Sequence, residues 1–263
     1  MSAMVAALPQ WIPHPFAEEF HWDRAQVTTC WATLHAVDLE PLPQHPQVLD
    51  AWVHYHNGQY AHATALGLQA GPLGLTVANK ATCIYAHYLE RSEARRLALL
   101  QEAATRAEHQ AQLHPDDPNA HYVVALALGR YAQCISVAKA LAQGLGPRVK
   151  KLLELTIHLQ PGHVEAHVSL GAFHADVIDK VGPLIGSMTY GVRRETSLSL
   201  LNRALTLAPQ AAIVMTEYAH ALRLLDSADA HPQADALYHQ ALAHTPLDAT
   251  ERLQIEMARA QQL

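Results

Sequence analysis

A proline recurs at the start of four similar segments, and this recurrence limits the possible folds more than any other feature of the chain. The prolines are Pro115, Pro161, Pro209 and Pro246, spaced 46, 48 and 37 residues apart. Proline cannot continue a preceding helix comfortably, so each position predicts a helix end and a short turn. An amphipathic pattern begins again within a few residues. Helical hairpins of this kind bury their apolar faces only by stacking on neighbours, which predicts a repeat architecture.

The composition supports an all-α fold. Half of the 263 residues are apolar but only 6% are aromatic, and Ala and Leu, both strong helix formers, dominate. β-branched runs are scarce. In the segment AWVHYHNGQYAHATALGLQA, Asn57 and Gly58 predict a break between two helices.

Residues 1–46 differ from the rest of the chain. They contain Trp11, Trp22, Trp31 and six prolines, with room for one helix over about residues 17–37. We expect an N-terminal arm or cap packed on the first repeat, because a free tail would expose these aromatic rings. Residues 47–263 form the predicted repeat domain.

The repeats resemble those of the tetratricopeptide repeat (TPR) superfamily. The segment ADALYHQALAHTP is similar to the second helix of such a repeat, and AHVSLGAFH, with Leu170 and Gly171, is similar to the first. GQYAHA around Tyr60 also matches. The resemblance covers roughly residues 47–261 and implies a right-handed α-solenoid of TPR-like hairpins with elongated central repeats. The long-repeat layout is weakly similar to the repeat domain of animal regulator-of-microtubule-dynamics proteins, from which we carry over no function. In the matching second helix, the small, aromatic, small and proline positions are Ala234, Tyr238, Ala241 and Pro246.

Two insertions account for the extra length of the central repeats. Residues 182–191, in DKVGPLIGSMTYGVRRE, are rich in glycine and predict a compact loop, and AQGLGPR at 142–148 predicts another. Each insertion separates the two helices of a hairpin, so both are expected at the same end of the repeat array. Such loops are common functional positions. Alternatively, they only cap long helices.

His163, His167 and His174 lie on one side of a predicted helix, which they share with aliphatic residues such as Leu170. The resemblance places His167 and His174 where the family has packed aromatic rings. We therefore interpret these histidines as core residues bonded to backbone groups. The alternative is a metal site on His163 and His167, which are one helical turn apart; His174 lies about 10 Å further along the axis. No HExxH pattern supplies a third ligand, so we expect no cofactor.

The resemblance also implies that first helices line a concave groove, on the side opposite the histidines. This surface would have an acidic centre with arginines at its sides, which suits an extended peptide or a basic partner helix. An ordinary solvated face is the alternative. The family's clamp for a C-terminal carboxylate is absent. The predicted groove residues are Asn119, Tyr122, Arg130, Glu165, Val168, Asp176, Asp179, Thr216, His220 and Arg223.

The 182–191 loop offers a second candidate site. Hydroxyls and guanidinium groups near a helix start could hold an anion, although such a start is more commonly satisfied internally. The residues concerned are Ser187, Thr189, Tyr190, Arg193 and Arg194.

Charge and cysteine usage narrow the partners and the compartment. With 18 Lys and Arg against 24 Asp and Glu, the net charge is −6, which argues against nucleic acid. No apolar run reaches the roughly 18 residues of a membrane span, and the N-terminus does not resemble a secretory signal. Cys30, Cys83 and Cys134 are widely spaced and odd in number, which favours a reducing, cytoplasmic setting. The abrupt apolar end at Leu263 raises self-association as a hypothesis.

These features predict a protein-interaction scaffold that binds a partner segment in its groove. The alternative is a small-molecule-binding helical-repeat protein of the transport-accessory type, with a pocket near residues 182–191. We expect no enzyme, because GxSxG, P-loop, GxGxxG and metal-spaced cysteine motifs are all absent.

Overall fold

In a computed structural model, which describes residues 10–226 and 231–260, the chain is all-α. Those residues form fifteen α-helices and two short 3-10 helices, and no strand occurs among them. The all-α helical-repeat prediction is therefore confirmed. The C-terminal residue Leu263, on which the self-association hypothesis depends, lies outside the described residues.

The helices follow one another with short connections. They are α1 (Arg24–Thr29), α2 (Trp31–Leu34), α3 (Pro46–His56), α4 (Tyr60–Gln69), α5 (Leu75–Tyr88), α6 (Glu93–Leu113), α7 (Pro118–Gln133), α8 (Val137–Ala142), α9 (Leu145–Leu159), α10 (Val164–Val181), α11 (Pro183–Tyr190), α12 (Arg194–Leu207), α13 (Ala212–Asp226), α14 (Pro232–Ala243) and α15 (Ala249–Ala260).

The recurring prolines mark turns as predicted. Each lies two or three residues beyond the end of one helix, and the next helix begins three residues later, at Pro118, Val164, Ala212 and Ala249. The break at Asn57 and Gly58 is also observed, between α3 and α4. Gly58 has φ +73°, a left-handed conformation that glycine adopts without strain.

The chain divides into two compact units, each of which includes a short segment from the far end of the chain. Unit 1 contains the described residues up to Trp31, then Pro41–Val137 and Asp248–Thr250. Unit 2 contains Ala32–Glu40, Ala138–Leu247 and the described residues from Glu251 onward. The boundary that we predicted at residue 46 stays a prediction.

Unit 1 is organised around α5, which packs against α3, α4, α6 and α7. Trp52 is fully buried beside Trp31 and Tyr55. Two polar contacts hold the segment Asp248–Thr250 in unit 1. The His56 ring bonds the Asp248 carboxylate at 2.7 Å, and the Tyr60 and Thr250 hydroxyls lie 3.0 Å apart.

Unit 2 is organised around α10, which packs against α9, α11, α12 and α13. α10 and α12 approach closely because Gly171 carries no side chain. A Cβ there would lie 2.6 Å from Leu201, and Ser197 donates a hydrogen bond to the Gly171 carbonyl at 2.7 Å. A second cluster on α13 and α14 includes Met215 and Tyr238.

The single helix predicted over residues 17–37 is wrong. The segment forms a 3-10 helix over Ala17–Glu19 followed by α1 and α2. Asp23 is the N-cap of α1 and forms a capping box with Gln26. An N-cap residue has a non-helical backbone, so Asp23 interrupts the predicted helix. The Trp22 amide instead donates to the Asn57 side chain at 2.8 Å, so contact with the repeats overrides the helical pattern.

Candidate functional site

A partly exposed stripe runs along α10 and forms one half of the candidate site. Glu165, Ser169, Ala172 and Asp176 recur at intervals of four, three and four residues, so they share one side of the helix. All four are partly exposed, whereas the opposite side is buried against α12.

The corresponding stripe on α13 forms the other half. Ile213, Glu217, His220 and Leu224 are partly exposed and each lies 48 residues beyond its counterpart on α10. α10 and α13 pack directly against each other, so the two stripes lie on adjacent helices of unit 2. We call these eight residues together the α10–α13 face.

The first turn of α10, at one end of this face, is covered by the chain's own N-terminal segment, residues 35–39. The backbone amide of Glu165, in the first turn of α10, donates to the Val37 carbonyl at 2.9 Å. The Val37 side chain packs on an aliphatic cluster that includes Val164, Val168 and Val214. A short non-helical segment thus lies against the start of α10 through one backbone hydrogen bond and one aliphatic contact.

The covering segment has a tight internal structure. The His35 ring and the Asp38 carboxylate are both buried and bonded at 2.9 Å, and the Leu39 amide donates to the His35 carbonyl at 2.8 Å. Leu39 adopts φ +51°, a left-handed conformation that is uncommon for a residue with a Cβ. The Leu39 side chain packs against Gly162, where an added Cβ would lie 3.2 Å from a Leu39 methyl group.

Four of the ten predicted groove residues are buried within their own unit, so the prediction is revised for them. Tyr122 has the Lys80 ammonium 5.9 Å from its ring centroid, Val168 belongs to the aliphatic cluster, and the Thr216 hydroxyl bonds the Ala212 carbonyl. Asn119 is 3% exposed. The helical wheel placed the face too close to the buried side, because the packing of neighbouring helices sets its limits.

The other six predicted residues remain partly or fully exposed. Arg223 is held by α14, where it bonds Asp235 at 2.7 Å and lies over the Tyr238 ring. Arg130 belongs to unit 1 and bonds Gln133. The acidic centre on α10 therefore carries most of the charge of the predicted surface. It consists of Glu165, Asp176 and Asp179, with His220 on α13.

The predicted loop at 182–191 is largely a helix, α11, and this prediction was wrong. Proline suits the first turn of a helix, and Pro183 starts α11 directly after Gly182. Gly191, at φ +64°, ends it in the left-handed conformation typical of a C-terminal cap. The glycines and the proline that predicted a loop therefore bound a short helix instead.

The predicted anion site is not assembled. Ser187 and Thr189 are exposed, whereas Tyr190 packs against Gly146, where an added Cβ would lie 2.7 Å from its ring. The Arg193 amide donates to His174 Nδ1 at 2.9 Å. The Arg194 guanidinium bonds the Leu225 carbonyl and forms an ion pair with Asp226. The Arg193 amide, the Arg194 guanidinium and the Tyr190 ring thus have other partners.

The histidine stripe serves the core of unit 2, as predicted. His163 is the N-cap of α10 and accepts from the Ala166 amide, His167 bonds the His163 carbonyl, and His174 accepts from Arg193. All three are buried. Burial lowers the pKa of His174, which favours a neutral ring. Among the described residues, no group of three or more His, Cys, Asp or Glu side chains is arranged to hold a metal ion.

Little in the sequence indicated the covering segment. Residues 35–39 fell at the end of the predicted helix and just beyond it, although the prolines at 41 and 43 indicated a nearby end.

No helix within the described part of the chain has the length and hydropathy needed to cross a bilayer.

Comparison with known proteins agrees with the hairpin geometry. The crystal structure of a thermophilic TPR protein in Thermus thermophilus aligns with a TM-score of 0.58 at 17% sequence identity, covering 81% of this chain and 97% of that chain. The chain therefore has a TPR-like helical-repeat fold, as the resemblance implied.

A family comparison adds a more specific likeness. Residues 75–180, from α5 to α10, match the family described as regulator of microtubule dynamics protein 1-3. This likeness, too, was expected from the long repeats. No curated protein matches the chain.

Proposed function

We propose that this chain is a protein-interaction repeat protein that binds a short segment of a partner polypeptide on the α10–α13 face. The observation that carries the proposal is the chain's own segment at residues 35–39, which already packs against the first turn of α10, at one end of that face. The Glu165 amide donates to the Val37 carbonyl, and the Val37 side chain packs on the buried aliphatic cluster beneath, which includes Val164 and Val168.

The remainder of the face defines the chemistry of the partner. Beyond the covered end it presents Ala172, the carboxylates of Asp176 and Glu217, and the apolar Leu224. Small and apolar positions favour close approach of a peptide, and carboxylates favour Lys or Arg side chains. We therefore expect a partner segment with an aliphatic residue near basic residues.

This function is favoured over a small-molecule pocket near residues 182–191. That alternative relied on a glycine-rich loop, and the segment is a helix whose inner side is closed by Val177, Val181 and Val192 around Gly186.

Selection from a library of short random peptides tests the proposal. Selected peptides should carry an aliphatic residue and a basic cluster, and Ala172→Arg should weaken their binding by about tenfold or more by blocking the face. Ala236→Arg on α14 is the matched control, an exposed alanine-to-arginine change elsewhere in unit 2. Fluorescence anisotropy with labelled peptides gives the affinities. Equal binding by both variants, or no selectable peptide, would refute the site.

We further infer a reducing compartment such as the cytoplasm. All three cysteines are free. Burial raises the pKa of the Cys83 thiol to about 12, so this residue is unreactive. The proposal predicts that the protein purified from its host without reductant binds three equivalents of a thiol reagent after denaturation. Recovery of fewer would contradict it.

A further inference from the structure

Helix α11 has an inverted polarity. Its large apolar side chains point to solvent, with exposed fractions of 73% for Leu184, 58% for Ile185 and 81% for Met188. Its inner side is formed by buried Gly186 and half-buried Tyr190. An ordinary surface helix buries its apolar stripe and exposes its polar one.

The inversion is fixed by packing. A Cβ at Gly186 would lie 2.8 Å from a methyl group of Val192 and close to Val177 and Val181, so any larger residue there would have to displace these side chains. Rotating α11 to bury Leu184 or Met188 would drive a large side chain into this contact. The apolar side chains therefore remain outside.

The two insertions of unit 2 lie side by side. Gly146, at the start of α9, touches the Tyr190 ring at the end of α11, and an added Cβ at Gly191 would lie 3.8 Å from the Lys150 ammonium. The short α8, which precedes α9, has no buried residue and exposes Leu141 by 53%. The contact at Gly146 thus brings the end of α11 to the start of α9, the helix that follows exposed α8 in the chain.

The segments around the two insertions are locally basic, although the chain carries more Asp and Glu than Lys and Arg. Residues 138–151 and 180–194 contain basic side chains and no acidic one, and the second stretch is flanked directly by Asp179 and Glu195. Lys150 pairs with Glu154, and Arg194 with Asp226. Three other basic residues of these segments are exposed, namely Lys151, Lys180 and Arg193.

We propose that α11 and its basic surroundings dock on the surface of an anionic lipid bilayer. Three apolar side chains protrude from a helix of 8 residues, and a soft, continuous apolar phase accommodates such a protrusion without a matching groove. Exposed Lys and Arg around it complement anionic head groups. α11 would lie at the interface and would not span the membrane.

This inference is separate from the proposed function. The peptide-binding stripe of α10 is acidic, whereas the docking surface is basic. On α10, the side chains that contact the insertions include Phe173 and Val177, which lie outside that stripe.

Co-sedimentation of the full chain with lipid vesicles tests the inference. We expect binding to vesicles of phosphatidylcholine mixed with phosphatidylserine, little binding to pure phosphatidylcholine, and loss of binding at high salt. The Leu184→Ser/Met188→Ser variant should bind about tenfold or more weakly, as should Lys151→Glu/Arg193→Glu. Leu73→Ser/Leu113→Ser, which changes two exposed leucines of unit 1, is the control and should bind like the wild type.

Four results would overturn the inference. The first is no binding to the anionic vesicles, and the second is equal binding by the wild type and the Leu184→Ser/Met188→Ser variant. The third is competition by inorganic phosphate beyond its ionic-strength effect, which would indicate a free-anion site. Capture of poly-glutamate with the same dependence on Leu184 and Met188, but without vesicle binding, would likewise replace the bilayer with an acidic polypeptide. Far-UV circular dichroism verifies that each variant is folded.

Discussion

Helix α5 buries polar side chains, whereas helix α11 exposes apolar ones. α5 is buried along nearly its whole length in unit 1, although it contains the polar residues Asn79, Lys80 and Thr82. α11 lies on the outside of unit 2, although its outward residues are apolar. In each helix the neighbouring elements, and not the polarity of the residues, decide which side chains meet water.

The polar residues of α5 are buried together with partners. The Arg106 guanidinium on α6 donates to the Asn79 side-chain carbonyl at 2.8 Å and to the Thr82 hydroxyl at 3.1 Å, and Gln110 donates to Thr76 at 2.7 Å. Buried polar groups are tolerated when they are hydrogen-bonded. The described elements of unit 2 leave the outer side of α11 exposed, so its apolar residues meet water.

Gly74, the residue directly before α5, packs against the backbone of Gly67 on α4. Substitution there should cause the largest loss of stability. In Gly74→Ala, the new Cβ would overlap the Gly67 carbonyl oxygen, so backbone must move. We expect a loss of about 3 kcal/mol in the free energy of unfolding. Tryptophan fluorescence during guanidinium titration reports on unit 1, which contains all four tryptophans: Trp11, Trp22, Trp31 and Trp52.

The matched change in α11 should be milder. In Gly186→Ala the close atom is a methyl group of Val192, which can shift, so we expect a loss of about 1 kcal/mol, measured by circular dichroism. A loss in Gly186→Ala as large as that in Gly74→Ala would show that α11 is seated as rigidly as α5.

Removal of Arg106, which bonds the polar side chains of α5, should cause the next largest loss of stability. Arg106→Ala leaves the buried Asn79 and Thr82 without this donor, which is expected to cost about 2 kcal/mol. The same fluorescence titration measures it. Arg203→Ala, at an exposed helical position on α12, is the control and should change stability by less than about 0.5 kcal/mol. Similar values for both variants would mean that Arg106 does not support the polar side of α5.

Acid should weaken unit 1 through the last turn of α5. Burial, and secondly the charges of Arg130 and Arg96, lower the pKa of His87 well below its usual value. The unfolded chain therefore takes up a proton before the folded one, and stability is complete above about pH 6.5 and falls as the pH drops below it. The slope from one proton is at most about 1.4 kcal/mol per pH unit.

A non-titrating substitution isolates this contribution. His87→Gln should flatten the dependence of the guanidinium midpoint on pH, as followed by tryptophan fluorescence, whereas the exposed His239→Gln should leave it unchanged. An unaltered pH dependence in His87→Gln would assign the acid sensitivity to other groups.

The smallest effect is expected on the outside of α11. Leu184→Ser/Met188→Ser removes side chains that are already mostly in water, so the free energy of unfolding should change by less than about 0.5 kcal/mol. Val77→Ser, at a fully buried position of α5, should cost more than about 2 kcal/mol. A loss above about 1 kcal/mol in the α11 variant would mean that its apolar side is covered, which would break the comparison.

The repeat fold could be predicted because its signals are local. A proline ends a helix wherever it stands, so Pro115, Pro161 and Pro209 placed the turns correctly without any knowledge of packing. The histidine stripe of α10 was also interpreted correctly, because it shared a side of the helix with aliphatic residues.

The candidate site was predicted only in part. A helical wheel gives the direction of Asp176 and His220, but the extent of exposure depends on how closely α10 and α13 approach, which removed Val168 and Thr216 from the surface. Nothing near residue 165 in the sequence indicated that the Glu165 amide would bond the Val37 carbonyl, because the two residues are distant in the chain.

The sequence by itself determined the all-α class, the positions of the proline turns and the resemblance to TPR-like repeats, since these depend on backbone chemistry and on a period of a few residues. Only the tertiary structure decided which sides of the helices are covered: the polar α5 is buried, the apolar side of α11 is exposed, and residues 35–39 lie on α10. Burial depends on partners that are remote in sequence, and no local pattern records them.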